Sequence, residues 1–231
     1  MEQSLLQPIK QPLNQSINLE KTNFINIKYS FYEEYLDSPV FSQIFTTRKQ
    51  HIRNKFNFQG IDKELIAEYF VEIFCWTVIP KNILLEIDEI LADTDILAND
   101  GKKLTLIDPC CGNSFHSFLF QEFCGRPSVA VDIQPEPNPW METISSEGIK
   151  YLNSLESHTD KILLLSWIDY GELAHRLVRN FKGNIIISVG NYENISFKYL
   201  KELHQNFTKI KEYDFIMPWN HHERLKIFVR R

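Results

Sequence analysis

The sequence predicts an α/β protein: a seven-stranded, mostly parallel sheet with a terminal antiparallel hairpin, preceded by a helical extension. Three observations predict it. From Leu104 onward, short apolar runs alternate with stretches of helical period, the pattern of a parallel sheet covered on both faces. The last two apolar segments, residues 210–216 and 225–229, are separated by a Pro218-Trp219-Asn220 turn with no helix between them, so they pair antiparallel. Before Leu104, apolar residues recur at helical spacing.

Residues 1–22 are rich in Gln, Asn and Ser and read as a mobile tail. Residues 23–100 read as a helical extension or cap. Leu65, Ile66, Tyr69, Phe70, Ile73 and Phe74 build one broad apolar face, with Asp62 as N-cap. Pro80 interrupts, and Ile83, Leu84, Ile87, Ile90 and Leu91 resume the period. Tyr29, Phe31, Tyr32 and Tyr35 suit either a packing helix or a lid over a cleft. Residues 101–231 form the core. Strands are expected at 104–107, 129–133, 149–152, 162–167 and 184–189. Helices are expected at 113–124, from Asn138-Pro139, at 172–181 and at 195–204.

The bulk properties bound the function. A chain of 231 residues buries enough surface to fold without disulfides or metal. Its 17 Phe residues predict a Phe-rich core. A net charge of −5 argues against nucleic acid held by bulk electrostatics and leaves protein or small-molecule partners. The N-terminus lacks a basic segment followed by an apolar run, and no stretch of about 18 apolar residues occurs, so a cytoplasmic protein without membrane spans is expected. Cys110, Cys111, His116 and Cys124 do not match zinc-ligand spacing, so no metal site is expected. Two readings of Cys111 stay open: a thiol of lowered pKa at a helix N-terminus, or a small residue packed under a ligand.

The candidate site is the loop Asp108-Pro109-Cys110-Cys111-Gly112-Asn113-Ser114. It follows the first core strand and opens a helix, where open α/β sheets bind ligands and free N–H groups face them. Gly112 lets backbone approach a ligand; Cys110 and Ser114 stand where glycine is commoner. Asp132 ends the second strand and can accept both hydroxyl protons of a ribose, which suits a nucleoside without naming it. Ser166-Trp167-Ile168-Asp169-Tyr170 ends the fourth strand. There Asp169 could take a proton from an acceptor, while Trp167 and Tyr170 line the pocket.

The ordered set Asp108-Pro-Cys-Cys-Gly112, Val-Ala-Val-Asp132, Leu-Leu-Leu-Ser166-Trp167 and Ile-Ile-Ile-Ser-Val-Gly190 resembles class I S-adenosylmethionine-dependent methyltransferases, across roughly residues 70–231. Within that superfamily it resembles a poorly characterised subgroup in which a Trp and a Pro, here Trp76 and Pro80, precede the first strand. The resemblance implies a Rossmann-like fold with S-adenosyl-L-methionine as cofactor. Asp108, Cys110 and Gly112 would border its methionine end, and Asp132 would hold its ribose. Ser166 and Trp167 would lie beside its methyl, with Asp169 and Tyr170 as catalytic residues toward an unidentified acceptor. Three departures stand out. The loop keeps one glycine, Ile168-Asp169 replaces a Pro-Pro pair, and Asn191 replaces a Glu. They leave open an alternative, a binding or interaction protein with an eroded, non-catalytic cofactor site. A nicotinamide-dependent reading lacks the multi-glycine fingerprint.

Overall fold

A computed structural model describes residues 30–53, 63–99, 102–168, 172–191, 196–216 and 222–231. Four helices come first: α1 (Ser30–Glu33), α2 (Pro39–Arg53), α3 (Lys63–Ile73) and α4 (Lys81–Asn99). The alternating region follows as β1 (Thr105–Asp108), α5 (Phe115–Cys124), β2 (Ser128–Asp132), β3 (Thr143–Ser145), α6 (Gly148–Ser154) and β4 (Lys161–Ser166). It ends with α7 (Glu172–Asn180), β5 (Ile185–Gly190), α8 (Phe197–Asn206), β6 (Phe207–Ile216) and β7 (His222–Arg230). The expected tail, the Asp62 cap and the 218–220 turn lie outside the described residues.

The strands form one sheet in the order β3-β2-β1-β4-β5-β7-β6. Strands β1 to β5 pair parallel, while β7 pairs antiparallel with both β5 and β6. This is a Rossmann-like arrangement with the terminal antiparallel hairpin that the sequence predicts. The strand order reverses between β1 and β4, which places a crevice at their carboxyl ends.

Strand composition follows from two-sided burial. Every residue of β5 is buried, and β4 reads Lys-Ile-Leu-Leu-Leu-Ser with its four apolar residues buried. One face of the sheet carries Leu106, Leu164, Ile187, Leu225 and Ile227 and packs into a cluster shared with α2, α3, α4 and α5. The other face carries Ile107, Leu163, Leu165, Ile186 and Phe228 and packs against α6, α7 and α8. The first cluster is aromatic, as 17 Phe residues suggest. Phe74 lies 5.3 Å from Phe115 and 5.9 Å from Trp140, ring centre to ring centre, and Phe41 lies 5.0 Å from Trp140. A part-buried ion pair adds to this face. Arg126, fully buried, holds Asp88 of α4 at 2.8 Å and donates to the Leu104 carbonyl before β1.

Three local expectations are corrected. Residues 149–152 are not a strand but lie in α6, where Ile149 and Leu152 face the core at a spacing of three. The third strand is Thr143–Ser145 instead, an edge segment of only three residues. No helix begins at Asn138-Pro139. Asn138 has φ of 58°, and Trp140 is drawn into the aromatic cluster, where its indole N–H donates to the Ile73 carbonyl at 2.7 Å. Helix α5 begins at Phe115 rather than at 113, because Ser114 is left-handed with φ of 64°. No described helix is long and apolar enough to cross a membrane.

Trp140 thus joins the helical layer to the loop between β2 and β3. Trp140→Ala is expected to cost about 3–5 kcal/mol, read as a lower urea midpoint at unchanged slope. A loss below about 1 kcal/mol would show that the aromatic cluster does not anchor that loop.

Candidate cofactor and acceptor site

The loop after β1 is shaped by two left-handed residues, Gly112 (φ 53°) and Ser114 (φ 64°). A Cβ at Gly112 would meet nothing within 4 Å. The glycine is therefore required by its dihedral angle and leaves one side of the loop open to a ligand. Ser114 tolerates the strained angle because its hydroxyl is tied to Met141, accepting from the backbone N–H at 3.0 Å and donating to the carbonyl at 3.1 Å. The Asn113 side chain donates to the Phe74 carbonyl and accepts from the Phe115 N–H at 3.1 Å. The helical layer thus holds the loop in place.

Asp108 ends β1 and is buried. Oδ2 accepts from the Ser117 hydroxyl at 3.1 Å, and Oδ1 has no partner among the described residues. Burial pushes this carboxyl up to about 7, against the pull of Ser117 and the Cys110 N–H; the nearby Asp132 charge adds to the rise. Asp132, at the end of β2, accepts from the Gly112 N–H at 3.0 Å and from the Gln134 N–H at 2.9 Å. One bond to each oxygen leaves further lone pairs free on a carboxylate. Gly112 and Asp132 are therefore directly bonded. Burial pushes the Cys110 thiol up to about 12 and the Cys111 thiol higher still. The open reading of Cys111 as a low-pKa thiol is corrected: desolvation and two carboxylates outweigh the helix N-terminus.

The second half of the site lies at the end of β4. Ser166 Oγ is 2.8 Å from His116 Nδ1, and His116 Nε2 is 2.9 Å from the Thr77 carbonyl. A carbonyl only accepts, so Nε2 carries the proton and Nδ1 accepts from Ser166. Burial lowers the His116 pKa to about 4, so the ring is neutral. Trp167 has φ of 47°, an uncommon angle for a bulky residue and one that marks stored strain. Its backbone N–H donates to the Val189 carbonyl at 2.9 Å, and its indole N–H donates to Thr77 Oγ1. Its ring stacks on Trp76 at 5.4 Å and 29°. Thr77 Oγ1 donates in turn to Glu223 Oε2 at 2.8 Å.

The structure places Asp108, Cys110, Gly112 and Asp132 at the ends of β1 and β2, and Ser166 and Trp167 at the end of β4. Asp169 and Tyr170 lie outside the described residues. Sequence reasoning missed His116, Thr77 and Glu223 as parts of this edge. A signal existed for Glu223: it holds the inward position of a strand whose next inward residues are Leu225 and Ile227. No cluster of metal-ligating side chains occurs among the described residues.

No protein family and no characterised protein matches the chain in sequence. Among solved structures, the chain is similar to magnesium protoporphyrin IX methyltransferase from Synechocystis PCC 6803 with bound SAM. That likeness has 12% identity and a TM-score of 0.46, over 87% of this chain and 96% of the other. It is also similar to TrmN from Thermus thermophilus, at 11% identity and a TM-score of 0.44, over 62% of this chain and 48% of the other. WbdD scores 0.43 at 17% identity, over 63% and 40%.

The raised Asp108 pKa has a stability consequence of definite sign. The folded state holds a proton that the unfolded chain releases above about pH 4. The contribution of Asp108 is therefore complete below that pH and is lost as pH rises through about 7. Asp108→Asn should gain stability relative to wild type as pH increases from about 5 to 7, then level off. Urea melts of both proteins across that range check this; a difference that shrinks with rising pH would contradict it.

Proposed function

We propose that the chain is an S-adenosylmethionine-dependent methyltransferase acting on a protein or small-molecule acceptor. The observation that carries the reading is the hydrogen bond between Gly112 and Asp132 beside Asp108. It joins an open, left-handed turn to a strand-end carboxylate with free lone pairs, next to a buried carboxylate with one unpartnered oxygen, at the switch point of the sheet. A cofactor with an ammonium group, a ribose and a sulfonium fits these donors and acceptors. Asp108 Oδ1 would take the ammonium, and Asp132 the ribose hydroxyls. Cys110 and Gly112 would border the methionine end, with Ser166 and Trp167 beside the methyl.

When bound, this cofactor supplies an electrophilic methyl on a sulfonium. The chain's residues would orient it and exclude water. An aromatic face attracts a sulfonium-like cation, a role open to Trp167. The neutral His116 fixes the Ser166 hydroxyl, so the β4 end is held rigid on the acceptor side. Asp169, which follows Ile168 directly, would be placed to receive a proton from the acceptor, and Tyr170 would wall its pocket. Orientation would supply most of the acceleration. Four free thiols suit a reducing compartment such as the cytoplasm.

A second reading is a binding module with an eroded site. It is favoured by the engagement of both Asp132 oxygens with backbone N–H groups and by the single loop glycine. Calorimetric titration with S-adenosylmethionine and S-adenosylhomocysteine, paired with radiolabelled methyl transfer to cell extract, separates the two. The enzyme binds both and labels an acceptor. Asp132→Ala should weaken binding at least roughly 10- to 100-fold and abolish labelling. Binding without transfer to any extract favours the module, and no binding by the folded protein sinks the enzyme reading.

A further inference from the structure

Glu223 is the second residue of β7 and has no part in the roles above. Gly190 of β5 pairs with Arg224, so Glu223 sits at the same edge as the carboxyl ends of β4 and β5. Its side chain shares the sheet face of Leu225 and Ile227, with no surface exposed. Oε2 accepts from Thr77, the Trp167 indole also reaches the carboxylate, and Oε1 has no partner among the described residues. Both groups that act on it are neutral. Burial pushes the carboxyl up to about 7, against the pull of Thr77 and Trp167. A desolvated carboxylate with an unpartnered oxygen, and with no cation on it among the described residues, is costly. A purely structural role would be filled as well by an amide.

A cationic ligand group would offset that cost. It cannot be the group that serves Asp108. Strands β4 and β5 separate β1 from β7, which puts the two strand ends about 14 Å apart at ordinary strand spacing. Trp167, at the end of β4, stands between them. If the cofactor lies over β1 and β2 with its methyl near Trp167, Glu223 lies on the acceptor side. We propose that Glu223 is the acceptor-binding carboxylate, its free oxygen receiving the ammonium of a primary or secondary amine and taking its proton in place of Asp169. This deepens the methyl-transfer reading and rests on it.

The step balances. The ammonium N–H proton passes to the Glu223 carboxylate, freeing the nitrogen lone pair. That pair forms the N–C bond as the S–C bond of S-adenosylmethionine breaks, and the S–C electron pair stays on sulfur. The products are a methylated ammonium and a thioether, and the Glu223 proton returns to solvent. A proton affinity near neutrality suits this exchange, because the group must both take and release a proton at working pH.

The test follows the side-chain carboxyl resonance of Glu223 in full-length carbon-13-labelled protein, assigned by its loss in Glu223→Gln. Primary alkylammonium chlorides from propyl to hexyl are added in the presence of S-adenosylhomocysteine. The free resonance is expected to titrate near neutrality, and the amines to ionise it already at about pH 6. Glu223→Gln should bind them roughly 10- to 100-fold more weakly. A resonance indifferent to every amine, or equal binding by Glu223→Gln, overturns the proposal. Thr77→Val guards against a misfolded Glu223→Gln. It removes a neutral donor and keeps the carboxylate, so it should retain the amine response; loss of that response in a folded Thr77→Val counts against direct contact. Calorimetry with S-adenosylhomocysteine on the same samples is read separately. Failure there removes the methyl-transfer reading and leaves the amine response to stand or fall alone.

Discussion

Two carboxylates, Asp108 and Glu223, are buried at one edge of the sheet, and among the described residues only neutral donors act on them. Much of the architecture serves to supply those donors. The Ser117 hydroxyl reaches Asp108 because α5 starts right after a loop that turns sharply through Gly112 and Ser114. The Thr77 hydroxyl reaches Glu223 because the segment between α3 and α4 crosses the carboxyl edge of the sheet. The helical layer is therefore packed into this edge rather than being an appendage beside it. It shares one apolar cluster with the sheet, and its carbonyls at Phe74 and Thr77 fix Asn113 and His116.

Trp167 links the two ends of this edge. Its left-handed backbone turns the chain out of β4, while its indole reaches Thr77 and stacks on Trp76. A residue of that bulk holds such an angle only where its surroundings over-determine it. Gly190 contributes by its extended positive φ of 146°, with a Cβ there falling 3.6 Å from the Trp167 ring. The Ser166–His116 pair on the inner side and the Trp76 stack on the outer side hold the strand end between them.

The sheet was legible in the sequence because strands buried on both faces must be apolar throughout, as β4 and β5 are. The strand-end positions of Asp108, Asp132 and Ser166 followed from that reading. What failed was short or tertiary. A three-residue strand at Thr143–Ser145 has no measurable period, while Ile149 and Leu152 are compatible with either structure. The fate of Asn138 and Pro139 depends on where Trp140 packs, which no local pattern states. His116 and Thr77 carried no signal because their partners lie far away in sequence; the Thr77–Glu223 bond spans 146 residues. Glu223 did carry one, an inward carboxylate on an otherwise apolar strand face.

The most direct test of this account is proton release on cofactor binding. S-adenosylmethionine is titrated calorimetrically at about pH 6, where its amine is fully protonated, in buffers of differing ionisation enthalpy. Asp108, with its pKa near 7, is then mostly protonated and must ionise to meet the ammonium. The account predicts release of close to one proton at that pH, lost in Asp108→Asn. An observed heat that is the same in every buffer, with binding intact, would contradict it.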